Sequence, residues 1–95
     1  MRGRLTTLVG AGLCLAMAGA SAQAAPPGFC RGYANAALNQ VRAALSIPGC
    51  RGGMEGSRWS ADFRVHYDWC LGASPGAAEE ERAARTGHLR RCRGF

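Results

Sequence analysis

The stretch GFCRGYANAALNQVRAALSIPGC, residues 28–50, decides how this chain folds. Cys30, Tyr33, Ala34, Ala37, Leu38, Val41, Ala44 and Leu45 recur at threes and fours, the period of a helix with one apolar face. Asn35, Asn39, Gln40 and Arg42 fall largely on the other side, and Pro48-Gly49 ends the pattern near Ile47. A first helix is predicted over about residues 28–46. The stretch also carries two cysteines, and they belong to an even beat of four: Cys30, Cys50, Cys70 and Cys92.

Beyond Cys50 the composition changes. Gly49, Gly52, Gly53 and Gly56 crowd the segment from Pro48 to Arg58, which reads as a loop pinned by a disulfide. Ser60 is a good N-cap, with Asp62 in the following turn, for a second helix running to about Leu71, where Gly72 stops it. Within this segment Trp59, Phe63, Tyr67 and Cys70 share one face, and Asp62, His66 and Trp69 share the adjacent one. Ser74 as cap and Pro75 at the first position start a third helix over 75–92. Glu79, Glu80 and Glu81 come early in it and Arg90, Arg91 and Arg93 late, both clusters matching the helix dipole. Glu81 with Arg85 and Glu79 with Arg82 stand at helical contact spacing. No alternation long enough for a sheet occurs.

The expected fold is therefore all-α, a small bundle of three antiparallel helices. Consecutive helices joined by short loops alternate direction, so their ends alternate between two poles. Cys30 and Cys70 then share one pole, Cys50 and Cys92 the other, and the pairing Cys30–Cys70 with Cys50–Cys92 is expected among the three possible connectivities.

The N-terminus reads as an export signal. Arg2 and Arg4 form a positive start, Leu5 to Ala20 is apolar and uncharged, and Ala22-Gln23-Ala24 places small residues where a signal peptidase reads them. Cleavage after Ala24 is expected, giving a signal peptide over 1–24 and one domain over 25–95. The apolar run is shorter than the roughly 20 residues of a membrane span, and Pro26 and Pro27 follow where a basic stop-transfer flank would stand. Cys14 follows Leu13 rather than a small residue and reads as part of the leader, not a lipidation site.

A domain of this size buries little more than about 60% of its surface and needs staples. Two disulfides, each closing some 40 residues, supply them at about 4 kcal/mol apiece on chain-entropy grounds. Removing Arg2 and Arg4 from twelve basic residues leaves ten against six acids, a net charge of +4, and none of the basic residues is lysine. Oxidised cysteines place the chain in an exported compartment, periplasmic or secreted.

The densest cluster of chemistry-bearing residues is Arg58-Trp59-Ser60-Ala61-Asp62-Phe63-Arg64-Val65-His66-Tyr67-Asp68-Trp69-Cys70. Arg58, Trp59, Asp62, His66 and Trp69 are the candidate binding residues. In a functional reading Asp62, one turn before His66, orients the imidazole and Trp69 forms a ring wall. In the structural reading the tryptophans and Phe63 fill a core otherwise made of alanine, and His66 is a clasp bonded to Asp62 or a backbone carbonyl. No nucleophile motif is present, so no catalytic residue is assigned. His66 and His88 stand far apart and no Cys-x-x-Cys occurs, so no metal or cofactor is expected. The loop glycines lack a phosphate-loop ending. Arg90, Arg91 and Arg93 could meet phosphate or carboxylate groups of an envelope polymer; nucleic acid and stable membrane insertion are not expected partners.

The pattern Cys30-Arg31-Gly32-Tyr33-Ala34, Ala37, Gln40, Arg58-Trp59-Ser60, Asp62, His66, Trp69-Cys70-Leu71, Glu80, Arg85, Leu89 and Cys92 resembles small exported bacterial four-cysteine proteins of uncharacterised function. The resemblance covers nearly all of the mature chain and implies a secreted four-cysteine helical module; it carries over no catalytic residues. Ala44 and Leu45 depart from the group, which tends to have a polar asparagine there, and this removes the grounds for a polar contact at the end of the first helix. The function expected is non-enzymatic binding of an envelope component or exported protein. A small hydrolase or lyase using Asp62 and His66, and a basic membrane-active or envelope-stress protein, are the alternatives.

Overall fold

The computed structural model describes residues 23–93, and these form three α-helices: α1 over Pro27–Leu45, α2 over Phe63–Leu71 and α3 over Pro75–Cys92. Two short 3-10 turns, Pro48–Cys50 and Ser57–Trp59, punctuate the glycine-rich connection, and no strand occurs among the described residues. The leader expected over 1–24 lies, up to residue 22, outside the described residues.

α1 begins at Pro27, one position before the expected start, because proline with its preset φ and missing N–H suits the first helical turn. It ends at Leu45, where the Ser46 N–H donates to the Arg42 carbonyl at 3.1 Å and the Ile47 N–H to the Ala44 carbonyl at 3.2 Å. Ala34, Ala37 and Ala44 are fully buried along its inner face, and side chains this small allow both other helices to lie close to it. α3 matches its expected span, and the Ser74 hydroxyl accepts from the Ala77 N–H at 3.1 Å.

α2 starts later than the sequence suggests. The expected cap Ser60 lies outside the helix, and Asp62 takes the role, its Oδ1 accepting from the Arg64 N–H at 2.9 Å. Ser60 Oγ accepts instead from the Asp62 N–H at 3.0 Å, so the two residues hand the chain from the 3-10 turn into the helix.

Both expected disulfides form. Cys30 pairs with Cys70 and Cys50 with Cys92, at Cα separations of 5.5 and 4.9 Å. Since Cys30 opens α1 and Cys70 ends α2, α2 runs back along α1; α3 then returns and meets the end of α1 at Cys50–Cys92. Each disulfide anchors an apolar cluster. One gathers Ala25, Tyr33 and Ala78 around Cys30–Cys70, with Phe29, Tyr67 and Leu71 against it. The other gathers Val41, Ala44 and Trp59 around Cys50–Cys92, with Ile47, Met54 and Leu89. Gly53 is one of two glycines in the connection with positive φ, at 82°, and an added Cβ would stand 3.4 Å from the His88 ring. Bonded disulfides of this kind imply an oxidising, extracytoplasmic environment, and no described helix is long and apolar enough to cross a membrane.

Candidate functional site

Between the two apolar clusters, halfway along α1 and α3, the core is polar. Arg85 is the largest fully buried side chain. Its Nε donates to Gln40 Oε1 at 2.7 Å and its Nη1 to the Arg58 carbonyl at 3.2 Å, while the guanidinium lies 5.2 Å from the centre of the Tyr33 ring. Gln40 in turn donates through Nε2 to Thr86 Oγ1 at 2.9 Å and the Arg82 carbonyl at 3.2 Å. Arg85 Nη2 is buried with no acceptor among the described residues. A buried cation costs several kcal/mol unless its donors are met, so this layer sets the register between α1, α3 and the 3-10 turn rather than adding stability freely.

Three sequence expectations are corrected here. Gln40 faces inward, not to the polar side of α1, because Arg85 needs an acceptor at that depth. Glu81 does not pair with Arg85, one turn on; it accepts from Arg58 in a two-pronged contact, Nε to Oε1 at 2.8 Å and Nη2 to Oε2 at 3.0 Å. Hydrogen bonding from Arg58 holds the Glu81 carboxyl below its ordinary range and pushes the Arg58 guanidinium further up. No ion pair joins Glu79 to Arg82 among the described residues. The signal for Arg85 was present in the sequence: it stands in phase with Ala78, Leu89 and Cys92 on the inner stripe of α3.

Above this layer lies a cavity of about 90 Å³ lined by Tyr33, Ser57, Arg58, Val65, His66, Trp69 and Glu81. Three of the five candidate residues, Arg58, His66 and Trp69, meet at it. His66 is 3% exposed and its Nε2 lies 2.7 Å from the Ser60 carbonyl; since a carbonyl only accepts, Nε2 carries the hydrogen. Of the two partners foreseen for a clasp, the structure thus uses the backbone carbonyl, because the Asp62 carboxylate is engaged in capping α2. The edge of the His66 ring meets Tyr33 at 6.4 Å between centroids, and Tyr33 meets Trp69 at 5.6 Å. Trp69 remains 43% exposed and Val65, one turn before it, 37%.

Trp59 goes elsewhere. It is buried in the second cluster and lies 4.7 Å from His88, whose Nε2 reaches the Cys50 carbonyl at 2.7 Å. The expected face of Trp59, Phe63, Tyr67 and Cys70 breaks because Trp59 precedes the helix; only Phe63 and Tyr67 stack, at 5.7 Å.

Comparison with known protein families, curated proteins and solved structures finds no match to this chain. The chemistry of the site must therefore be read from its own groups. Arg58 and Glu81 both line the cavity and neutralise each other as an ion pair, while Arg85 lies fully buried outside the lining. No group of three or more His, Cys, Asp or Glu residues suited to a metal ion occurs among the described residues.

Proposed function

We propose that the mature chain is a non-enzymatic binding module, periplasmic or secreted, that holds an envelope component or another exported protein at the surface formed by α2 and the Ser57–Trp59 turn. The observation that carries this reading is Trp69, an indole left 43% exposed on a disulfide-braced helix, beside a cavity walled by Tyr33 and Arg58. Trp, Tyr and Arg are the side chains that supply most contact energy at interfaces, and a surface held rigid by Cys30–Cys70 loses little entropy on binding. A cavity of about 90 Å³ takes one side chain or one substituent of a polymer, well short of the roughly 300 Å³ or more of a small-molecule pocket. With Arg58 and Glu81 paired in its wall and an apolar rim of Val65 and Trp69, it favours a partner offering an apolar group flanked by polar ones that can meet the ion pair.

The hydrolase or lyase alternative has no comparable support, since Asp62 caps α2 and His66 is bonded to the Ser60 carbonyl. The test is a crosslinking capture from native envelopes with the oxidised mature domain, comparing wild type with a Trp69→Ala, Arg58→Ala double variant of unchanged circular dichroism. Loss of one specific partner from the variant supports the reading; the same partners in both lanes refute this surface.

A further inference from the structure

Ahead of α1 the chain is anchored to the domain at one residue that the binding surface does not use. Gln23 and Ala24 are exposed, whereas Ala25 is 4% exposed and belongs to the cluster around Cys30–Cys70. The Ala25 nitrogen donates to the Ala73 carbonyl at 2.7 Å, just past the Gly72 cap of α2. The Ala25 carbonyl lies 3.9 Å from Cys30 Sγ, and Pro26 and Pro27 then lead directly into α1. Ala25 is thus a single buried, hydrogen-bonded residue between exposed neighbours, Gln23 and Ala24 before it and Pro26 to Gly28 after it, and it stands directly behind the bond that follows Ala22-Gln23-Ala24.

We propose that the Ala24–Ala25 bond is a processing site, and that the α-ammonium of Ala25 created there is a structural group bound at the carboxyl end of α2. An export peptidase adds water across the amide: the hydroxyl goes to the Ala24 carbonyl carbon and the hydrogen to the Ala25 nitrogen. The amine then takes a proton from solvent at neutral pH. The N–H directed at Ala73 is retained, and its hydrogen bond becomes charge-assisted. The last carbonyls of α2 carry the negative end of the helix dipole, where a cation is favoured. Removal of Ala24 opens the other side of the nitrogen to water, so the remaining N–H groups are solvated.

The two prolines restrict the backbone that delivers Ala25 to this place, so the position costs little chain entropy. A cut one residue later would remove the buried Ala25 methyl and its bond to Ala73. A cut one residue earlier would leave a neutral amide in place of the ammonium. Cleavage also has to come before the Cys30–Cys70 pole closes, because a peptidase needs the residues on both sides of the bond extended and accessible.

The chain has no lysine, so the α-amine is the only amine in the molecule and can be acetylated selectively. The full chain is exported from a bacterium, purified with its disulfides intact, and its mass measured. One half is acetylated in denaturant and refolded; the other half is treated identically without reagent. The expected mass is that of a chain beginning at Ala25. The acetylated form, which keeps the N–H but not the charge, is expected to melt about 2–6 °C lower at pH 6. A mature chain beginning at any other residue overturns the processing site. Equal melting of the two forms overturns the structural role of the ammonium. Both results are independent of whether any partner is ever bound.

Discussion

Replacing Gln40 by methionine removes the acceptor that Arg85 Nε uses at 2.7 Å, and leaves a fully buried guanidinium with two unmet donors, Nε and Nη2. A hydrogen bond to a charged group is worth about 1.5–3 kcal/mol and the stranded donor adds to that, so Gln40→Met is expected to cost about 2–4 kcal/mol. Arg85→Met strands Gln40 Oε1 and the Arg58 carbonyl and loses the contact with Tyr33. It also removes a buried charge with one donor already unmet, so its cost is smaller, about 1–3 kcal/mol. In the double variant neither group is left waiting for the other, and two flexible apolar side chains of similar length fill the layer. The double variant is therefore expected to be more stable than the sum of the single costs predicts, by about 2 kcal/mol. For a domain of this size that coupling corresponds to about 8–16 °C in melting temperature. Thermal unfolding of the four proteins, disulfides intact and followed by circular dichroism, measures it. Single effects that simply add, within about 0.5 kcal/mol, would refute the assignment of Arg85 and Gln40 as one polar unit.

His66→Ala removes the 2.7 Å bond to the Ser60 carbonyl and the edge contact with Tyr33, and should lower stability by about 2–3 kcal/mol in the same assay; unchanged melting would show that the clasp carries no weight. Gly56 has φ 90° and ψ 175°, a conformation open essentially to glycine alone, so Gly56→Ala is expected to cost about 1–3 kcal/mol although an added Cβ there meets nothing within 4 Å. Gly52→Ala, equally open but without a positive φ, is the control and should be near neutral; equal effects would contradict the strain argument. Because Arg58 holds the Glu81 carboxyl low, the pair's contribution is complete above the carboxylate range of the unfolded chain and disappears as pH falls through the lower folded value. The pair is half exposed and its contribution small, but the stability difference between wild type and Glu81→Gln should vanish on acidification from pH 7, and a constant difference would rule the linkage out.

Much of this architecture is legible without coordinates. The spacing of Cys30, Tyr33, Ala37, Val41 and Ala44 determines α1, and Ser74-Pro75 determines the start of α3, because caps and periodicity act over a few residues. The disulfide pairing also agrees with the sequence expectation, since antiparallel neighbours bring the four cysteines to two poles. Only the α2–α3 link is short, however, and the chain from α1 to α2 passes through two 3-10 turns over 46–62. The start of α2 was less legible because Ser60, Asp62 and the Ser57–Trp59 turn compete locally for the same backbone groups, and tertiary contacts settle the competition.

The sequence by itself determined which segments are helices, how they alternate and where the chain is cross-linked. Only the tertiary structure decided the partners of the long polar side chains. Arg85 takes Gln40 from α1 and a carbonyl from the turn, Glu81 takes Arg58, His66 takes Ser60, and Trp59 enters the core while Trp69 stays at the surface. The physical reason is one of range. Helix formation and capping depend on neighbours within about a turn, whereas a buried donor must find an acceptor at its own depth, on whichever helix the packing brings there.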